Sequence, residues 1–156
     1  MVKAYFAAGC FWGVQQRFSR LPGVSQTAVG YMGGVMDSPD YRSVCTGRTG
    51  HAEVVEVVYD PDKIDFTTLL SCLFEWHDPT QVNRQGPDIG TQYRSAIFPQ
   101  TAAQQTEAEE KISQLNQSGH YSQPIATTLE TSDQFWIAED YHQDYLDKRG
   151  LGHCGI

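Results

Sequence analysis

Runs of alternating apolar and polar positions exchange along this chain with runs whose apolar residues recur every three or four. Lys3 to Ala8 alternate and predict a strand; Phe11 to Arg20 predict a helix, stopped by Leu21-Pro22-Gly23. Val24 to Gly30 suit a second strand, and Tyr31-Met32-Gly33-Gly34 opens a long loop through Pro39, Tyr41 and Cys45. The clearest strand is His51 to Tyr59, with Val54, Val55, Val57 and Val58, ended by Asp60-Pro61. Asp65 fits an N-cap for a helix through Leu69, Leu70, Leu73 and Trp76 that ends before Asp78-Pro79. A polar loop from Thr80 to Gly90 leads to a strand over Thr91 to Phe98. An amphipathic helix over Thr101 to Gln117 follows, with Gly119 as its stop, then a strand over Ile125 to Glu130. Glu139 to Lys148 predict a last helix, with Ile137, Tyr141 and Tyr145 four apart on one face. The glycine-rich tail from Gly150 to Ile156 is expected to be mobile.

The order strand, helix, strand, strand, helix, strand predicts an α+β fold: a two-layer sandwich with a ferredoxin-like βαββαβ plait core and additional helix and strand pieces. No repeat, low-complexity tract or linker interrupts it, so one domain over residues 1–156 is expected. That length suffices for a sizeable core, and 40% hydrophobic residues is a globular composition. A formal charge of −8 argues against nucleic acid or anionic membranes as partners. Met1 to Ala8 lead into the next motif with no secretory core, and no run approaches the roughly 18 apolar residues of a spanning helix, so a cytoplasmic setting is expected.

Cysteines lie at 10, 45, 72 and 154, with neither CxxC nor zinc-finger spacing. Reduced thiols, one or two of them functional, are expected rather than structural disulfides. Gly9-Cys10-Phe11-Trp12-Gly13 puts Cys10 at a strand-to-helix turn, where the unpaired first amides of a helix favour a thiolate. Cys10 therefore reads as a nucleophile rather than as a buried apolar residue, and flanking glycines allow close approach. Phe11 and Trp12 can wall a small apolar pocket beside the sulfur, or be plain core.

Glu53 shares a strand face with Val55 and Val57, where desolvation would let its carboxyl keep a proton near neutral pH. Glu56 has the same claim on the opposite face, and periodicity does not choose between them. Glu53 is favoured by its place at the strand end beside a glycine-rich loop. Tyr41 and Tyr93 flank long loops and can donate to an oxygen ligand, or simply pack. Asp88, in Gly86-Pro87-Asp88-Ile89-Gly90, reads as a turn residue. His51, His77 and His142 lack metal-binding spacing, so no metal is expected. Cys154, between His153 and Gly155, could attack an oxidised Cys10; Cys72 reads as core and Cys45 is undecided.

Gly9-Cys10-Phe11-Trp12-Gly13 resembles the signature of the A-type peptide methionine sulfoxide reductases. The resemblance continues in order through Val29-Gly30-Tyr31, Tyr41-Arg42-Ser43-Val44-Cys45, Thr49-Gly50-His51-Ala52-Glu53, His77-Asp78-Pro79-Thr80, Gln85 to Ser95 and Tyr141-His142-Gln143-Asp144-Tyr145. It implies that Cys10 attacks the sulfoxide sulfur, that Phe11 and Trp12 hold the S-methyl group, and that Glu53 protonates the oxygen. Tyr41 and Tyr93 would hydrogen-bond that oxygen, and Asp88 would order the site and contact substrate backbone or water. The resemblance also implies action on the S epimer, a sulfenic acid on Cys10, a disulfide with a second cysteine, thioredoxin as reductant, and no metal or organic cofactor. Repair of proteins after oxidative stress follows from that activity. The tail resembles the glycine-flanked segment that carries the first resolving cysteine, with His153 where such tails often have tyrosine. Cys154 is then the resolving thiol, Cys45 the alternative, and no second recycling cysteine is expected beyond Ile156.

Two rival readings remain open on residues alone. A thiol hydrolase or acyltransferase would need His51 or His142 beside Cys10. A redox-sensing module would toggle a Cys10–Cys154 disulfide without consuming sulfoxide. A monomer is expected.

Overall fold

In the computed structural model, which describes residues 1–150, both faces of the sheet are apolar. β1 (Val2–Ala8) sends Ala4, Phe6 and Ala8 to one face and Tyr5 and Ala7 to the other. β3 (Ala52–Tyr59) does the same with Val55 and Val57 against Ala52 and Val54, which is why its sequence is nearly continuous in valine. α1 (Phe11–Ser19) and α3 (Phe66–Trp76) cover the first face, where Phe6 stacks with Phe18 at 5.2 Å and with Phe66 at 5.8 Å. Leu69, Leu70 and Leu73 of α3 are buried there, each contributing about 1.5–3 kcal/mol by leaving water. α4 (Ala102–Ser118), capped by Thr101 and ended by left-handed Gly119, packs beside α3.

With β2 (Val24–Met32) and β6 (Ser95–Ile97), the central strands run in the order β6-β1-β3-β2, all neighbours antiparallel. This is the ferredoxin-like plait the sequence predicts. Two short strands extend it: β7 (Thr128–Leu129) lies parallel to β6, and β8 (Trp136–Ile137) antiparallel to β2. β8 approaches so closely that a Cβ on Gly30 would strike the Trp136 carbonyl and the Phe135 ring.

The remaining elements depart from the sequence pattern in definable ways. The long loop after β2 contains α2 (Tyr41–Val44), nucleated by a reciprocal capping box between Asp40 and Ser43. The loop from Thr80 to Gly90 folds into a hairpin of β4 (Arg84–Gln85) and β5 (Asp88–Ile89). The strand expected from Thr91 starts instead as a 3-10 turn, Thr91–Tyr93, closed by Tyr93 N–H donating to the Gly90 carbonyl. The helix expected over Glu139 to Lys148 is two pieces: a 3-10 turn, Asp140–His142, and α5 (Tyr145–Lys148). Between them the Gln143 side chain clips onto the N–H and C=O of Val29, both at 2.9 Å, and Asp144 takes a left-handed φ of 54°. Ile137, at 67% exposure, is on the edge strand rather than on a buried helical stripe.

His77 supplies a pH test of this core. Its Nδ1 donates to the Leu73 carbonyl at 2.7 Å and its Nε2 accepts from Ser95 Oγ at 2.8 Å, so the neutral ring is fully bonded. Burial pushes it down to about 4 from an ordinary 6.5. The unfolded chain therefore takes up this proton before the folded one does. Stability should fall as pH drops from about 6.5 to about 4, by up to about 3 kcal/mol. Urea melts at about pH 7 and about pH 4.5 check this: His77→Gln should lower stability at the upper pH and flatten the difference.

Candidate active site

Gly9, with φ of 87°, turns the chain at the end of β1 so that Cys10 becomes the N-cap of α1. The first amide of the helix, Phe11 N–H, donates to Glu53 Oε1 at 3.1 Å. A residue 42 positions away is thereby held at the helix start next to Cys10. Glu53 is 2% exposed. Glu56 has a different fate: it accepts from Tyr5 Oη at 2.7 Å and faces Lys3 at 3.7 Å. Two glutamates that periodicity leaves alike thus have different partners: Glu53 the helix start, Glu56 the Tyr5 phenol and Lys3.

The other expected residues gather around this pair. The Tyr41 phenol is pushed up by burial, by a hydrogen bond with the Cys45 thiol and by the Glu53 charge. Tyr93 is pushed up by burial, then by Glu53, Cys45 and Asp88, and it hydrogen-bonds Tyr41. Two phenols, a carboxyl and a thiol thus share one small volume, and both phenols remain protonated donors. Asp88 lies opposite Gln85 in the β4–β5 hairpin, and its charge adds to the upward shift of Tyr93. Cys45 is exposed as a residue, yet desolvation pushes its thiol up and Glu53 adds to the shift. Cys154 lies outside the described residues.

Phe11 and Trp12 part company. Phe11 is 1% exposed and belongs to the core, 5.8 Å from the Tyr31 ring. Trp12 is half-buried and stacks on Tyr145 at 3.8 Å with 10° between the planes. Its indole N–H donates to His142 Nδ1 at 2.9 Å.

Glu139 and Gln143 of the C-terminal segment carry no role in the sequence reading, and His142 enters it only as a base for the rival hydrolase. Glu139 accepts from Tyr31 Oη at 2.8 Å and from Tyr41 N–H at 2.9 Å, fixing the start of α2. Those bonds hold its carboxyl below the ordinary range although burial works against them. Gln143 ties the same segment to β2, and His142 sits among the aromatic rings. Tyr141-His142-Gln143-Asp144-Tyr145 carried the resemblance, but no spacing rule assigns roles within it. His51 braces a loop, its Nδ1 accepting from Gly34 N–H at 3.0 Å and its Nε2 donating to the Met36 carbonyl at 2.7 Å. Both its nitrogens are used, which leaves it no lone pair for thiol activation.

A surface groove of about 580 Å³, lined in part by Arg17, Trp76, His77 and Tyr121, contains none of these groups. The candidate site is the region where Glu53 meets the helix start and influences the two phenols. Among the described residues no group of three or more His, Cys, Asp or Glu is placed to hold a metal, and no helix is long and apolar enough to cross a membrane.

A family model described as peptide methionine sulfoxide reductase matches residues 2–156. This chain belongs to that family. A peptide methionine sulfoxide reductase MsrA of Methanoculleus marisnigri is 55% identical over 97% of this chain and 93% of its own length. One from Acidobacterium capsulatum is 54% identical over the whole of both. Among solved structures, methionine sulfoxide reductase A of Corynebacterium diphtheriae superposes with a TM-score of 0.83 at 41% identity, covering 97% of this chain and 76% of the other. Mxr1 from Saccharomyces cerevisiae in reduced form gives 0.88 at 38%, covering 99% and 88%. Mxr1 in complex with Trx2 shares the fold, with a TM-score of 0.62 at 24% identity, covering 92% and 84%. Membership gives the assembly of Cys10, Glu53 and the two phenols a chemical context: a family named for removing oxygen from sulfur needs a nucleophile and proton donors side by side.

Proposed function

We propose that this protein is a peptide-methionine (S)-S-oxide reductase that returns methionine-S-sulfoxide, free or in proteins, to methionine. The observation that carries this reading is the Phe11 N–H···Glu53 Oε1 contact at 3.1 Å, which holds a buried carboxyl at the helix start that Cys10 caps. The helix start favours the Cys10 thiolate, which attacks the sulfoxide sulfur. The oxygen needs a proton to leave, and Glu53, whose anion loses hydration on burial, supplies it. Tyr41 and Tyr93 donate hydrogen bonds to that oxygen, Trp12 over Phe11 receives the methyl group, and Asp88 orders the rim.

The protonated oxygen passes from the methionine sulfur to Cys10 Sγ as the transient bond between the two sulfurs breaks. Methionine departs with that electron pair, reduced by two electrons, and Cys10 is left oxidised by two as a sulfenic acid. The Cys154 thiolate attacks that sulfur, forming a disulfide and releasing water. Thioredoxin then reduces the disulfide by dithiol exchange, becoming oxidised itself. Thioredoxin as reductant is supported by the yeast relative Mxr1, whose structure is known in complex with Trx2. The chain acts as one domain, as a monomer and in the cytoplasm, repairing oxidised proteins without a metal or organic cofactor.

A thioredoxin-coupled assay on the separated sulfoxide epimers tests the reading. The S epimer should be consumed and the R epimer left, with Cys10→Ser inactive on both. Consumption of the R epimer at a comparable rate, or activity surviving in Cys10→Ser, would overturn it. Thioester cleavage without reductant would favour the hydrolase instead.

A further inference from the structure

The turn that carries Tyr93 has little of its own to hold it. Thr91–Tyr93 is a single 3-10 turn, closed by Tyr93 N–H donating to the Gly90 carbonyl at 3.0 Å and Arg94 N–H to the Thr91 carbonyl at 3.2 Å. Bonds of this i to i+3 kind are poorly aligned, and three residues make few of them. The Tyr93 phenol stands at the far end of its side chain, so a small tilt of this backbone moves its oxygen. A misplacement of about 1 Å can cost a reaction about 100-fold.

Arg94, the next residue, supplies the missing support. Its Nη1 donates to the same Thr91 carbonyl at 2.9 Å, so two donors pin the peptide plane between Thr91 and Gln92. The rest of the guanidinium is engaged elsewhere: Nε donates to Glu130 Oε2 and Nη2 to Glu130 Oε1, both at 2.8 Å. A two-pronged bond of that kind fixes the plane of the group as well as its distance. Glu130 is braced in turn. Thr128 Oγ1 donates to its Oε2 at 2.6 Å, and its own backbone N–H donates to the Ile97 carbonyl at 3.0 Å, continuing the β6–β7 ladder. The two side chains are only 12% and 24% exposed. Gly33 lies over them, where a Cβ would come within 2.9 Å of Arg94 Nη2 and 3.0 Å of Glu130 Oε1. A shielded ion pair returns little net stability, because desolvation offsets most of the attraction. What this pair does provide is a rigid strut from the sheet edge to the turn.

We propose that Arg94 is a positioning residue: braced by Glu130, it fixes the turn under Tyr93 and so aims the Tyr93 phenol at the sulfoxide oxygen. The inference rests on the reading of Tyr93 as a donor to that oxygen.

Arg94→Lys keeps the charge but loses the planar fork, so it cannot grip Glu130 by two bonds and reach the Thr91 carbonyl together. Two phenols donate to one oxygen in this reading, and either covers in part for loss of the other. The test therefore measures single-turnover rates of methionine formation from N-acetylmethionine S-sulfoxide, at saturating substrate, in two backgrounds. In Tyr41→Phe the oxygen depends on Tyr93, and adding Arg94→Lys should slow the step about fivefold or more. In Tyr93→Phe no hydroxyl is left to aim, and adding Arg94→Lys should change the rate by less than about twofold. The half-saturating substrate concentration should move little in either, because the bond to the oxygen strengthens only as the oxygen leaves. Glu130→Gln, which keeps one oxygen for the guanidinium, should repeat the asymmetry more weakly and serves in place of Arg94→Lys if that variant does not fold.

Equal slowing in both backgrounds would mean that Arg94 stiffens the site at large, and would overturn the proposal; so would no slowing in either. Slowing confined to Tyr93→Phe would assign Arg94 to Tyr41, which also overturns it. A parental rate in the variant lacking both phenols would show that neither is a donor. The role of Tyr93 then falls first, and that of Arg94 with it.

Discussion

Glu53→Gln should slow sulfoxide reduction about 100-fold or more, the range usual for loss of a general acid and equivalent to about 2.7 kcal/mol of barrier. The substitution is informative because so little else changes. Glutamine keeps an oxygen in the Oε1 position, so the bond from Phe11 N–H survives and the helix start keeps its partner. What disappears is a proton that can be given up to the departing oxygen. Single-turnover rates of methionine formation measure the step directly, before any recycling. If the rate stays within a factor of a few of the parent, Glu53 is not the acid, and Tyr41 or Tyr93 must carry the proton. Glu56→Gln is the internal control. It touches Tyr5 and Lys3 rather than the helix start and should leave the rate unchanged within about twofold.

Cys154→Ser should convert a catalyst into a stoichiometric reagent. One methionine forms per protein molecule, the sulfenic acid stays on Cys10, and thioredoxin has no disulfide to attack. A small dithiol that reaches Cys10 directly should restore turnover. The competing thiol is Cys45, which lies with Tyr41 and Tyr93 in the site. Its environment argues against it: desolvation pushes that thiol up, outweighing the hydrogen bonds with Tyr41 and Tyr93 that pull the other way, so little thiolate is available to attack. Thioredoxin-driven cycling that continues in Cys154→Ser and stops only in the double variant with Cys45→Ser would reverse this assignment.

The plait was legible because its elements bury faces with a clean period. β1 and β3 alternate between two apolar layers, and α3 follows a good N-cap at Asp65 with leucines at helical spacing. The C-terminal segment was not legible, for a reason local pattern cannot contain. Residues 139–148 have helical periodicity, but the Gln143 side chain bonds the backbone of Val29, 114 positions away, and the left-handed φ of 54° at Asp144 interrupts the helix. β8 was invisible because two residues show no alternation, and its docking depends on the absence of a side chain at Gly30. Position in the strand favours Glu53 over Glu56 in the sequence, but the contact of Glu53 with the Phe11 amide is one that no reading of a single strand includes. Glu139 and His142 escaped because each acts on a distant partner, Tyr41 or Trp12, with no spacing of its own to mark it.

The two outer strands of the sheet, β7 and β8, are each only two residues long. An exposed sheet edge is a template on which an extended segment of another chain can add a strand. The borders of this sheet offer almost no unpaired backbone to copy. The same brevity that hid β8 from sequence pattern thus leaves the sheet with little exposed edge on which another chain could add a strand.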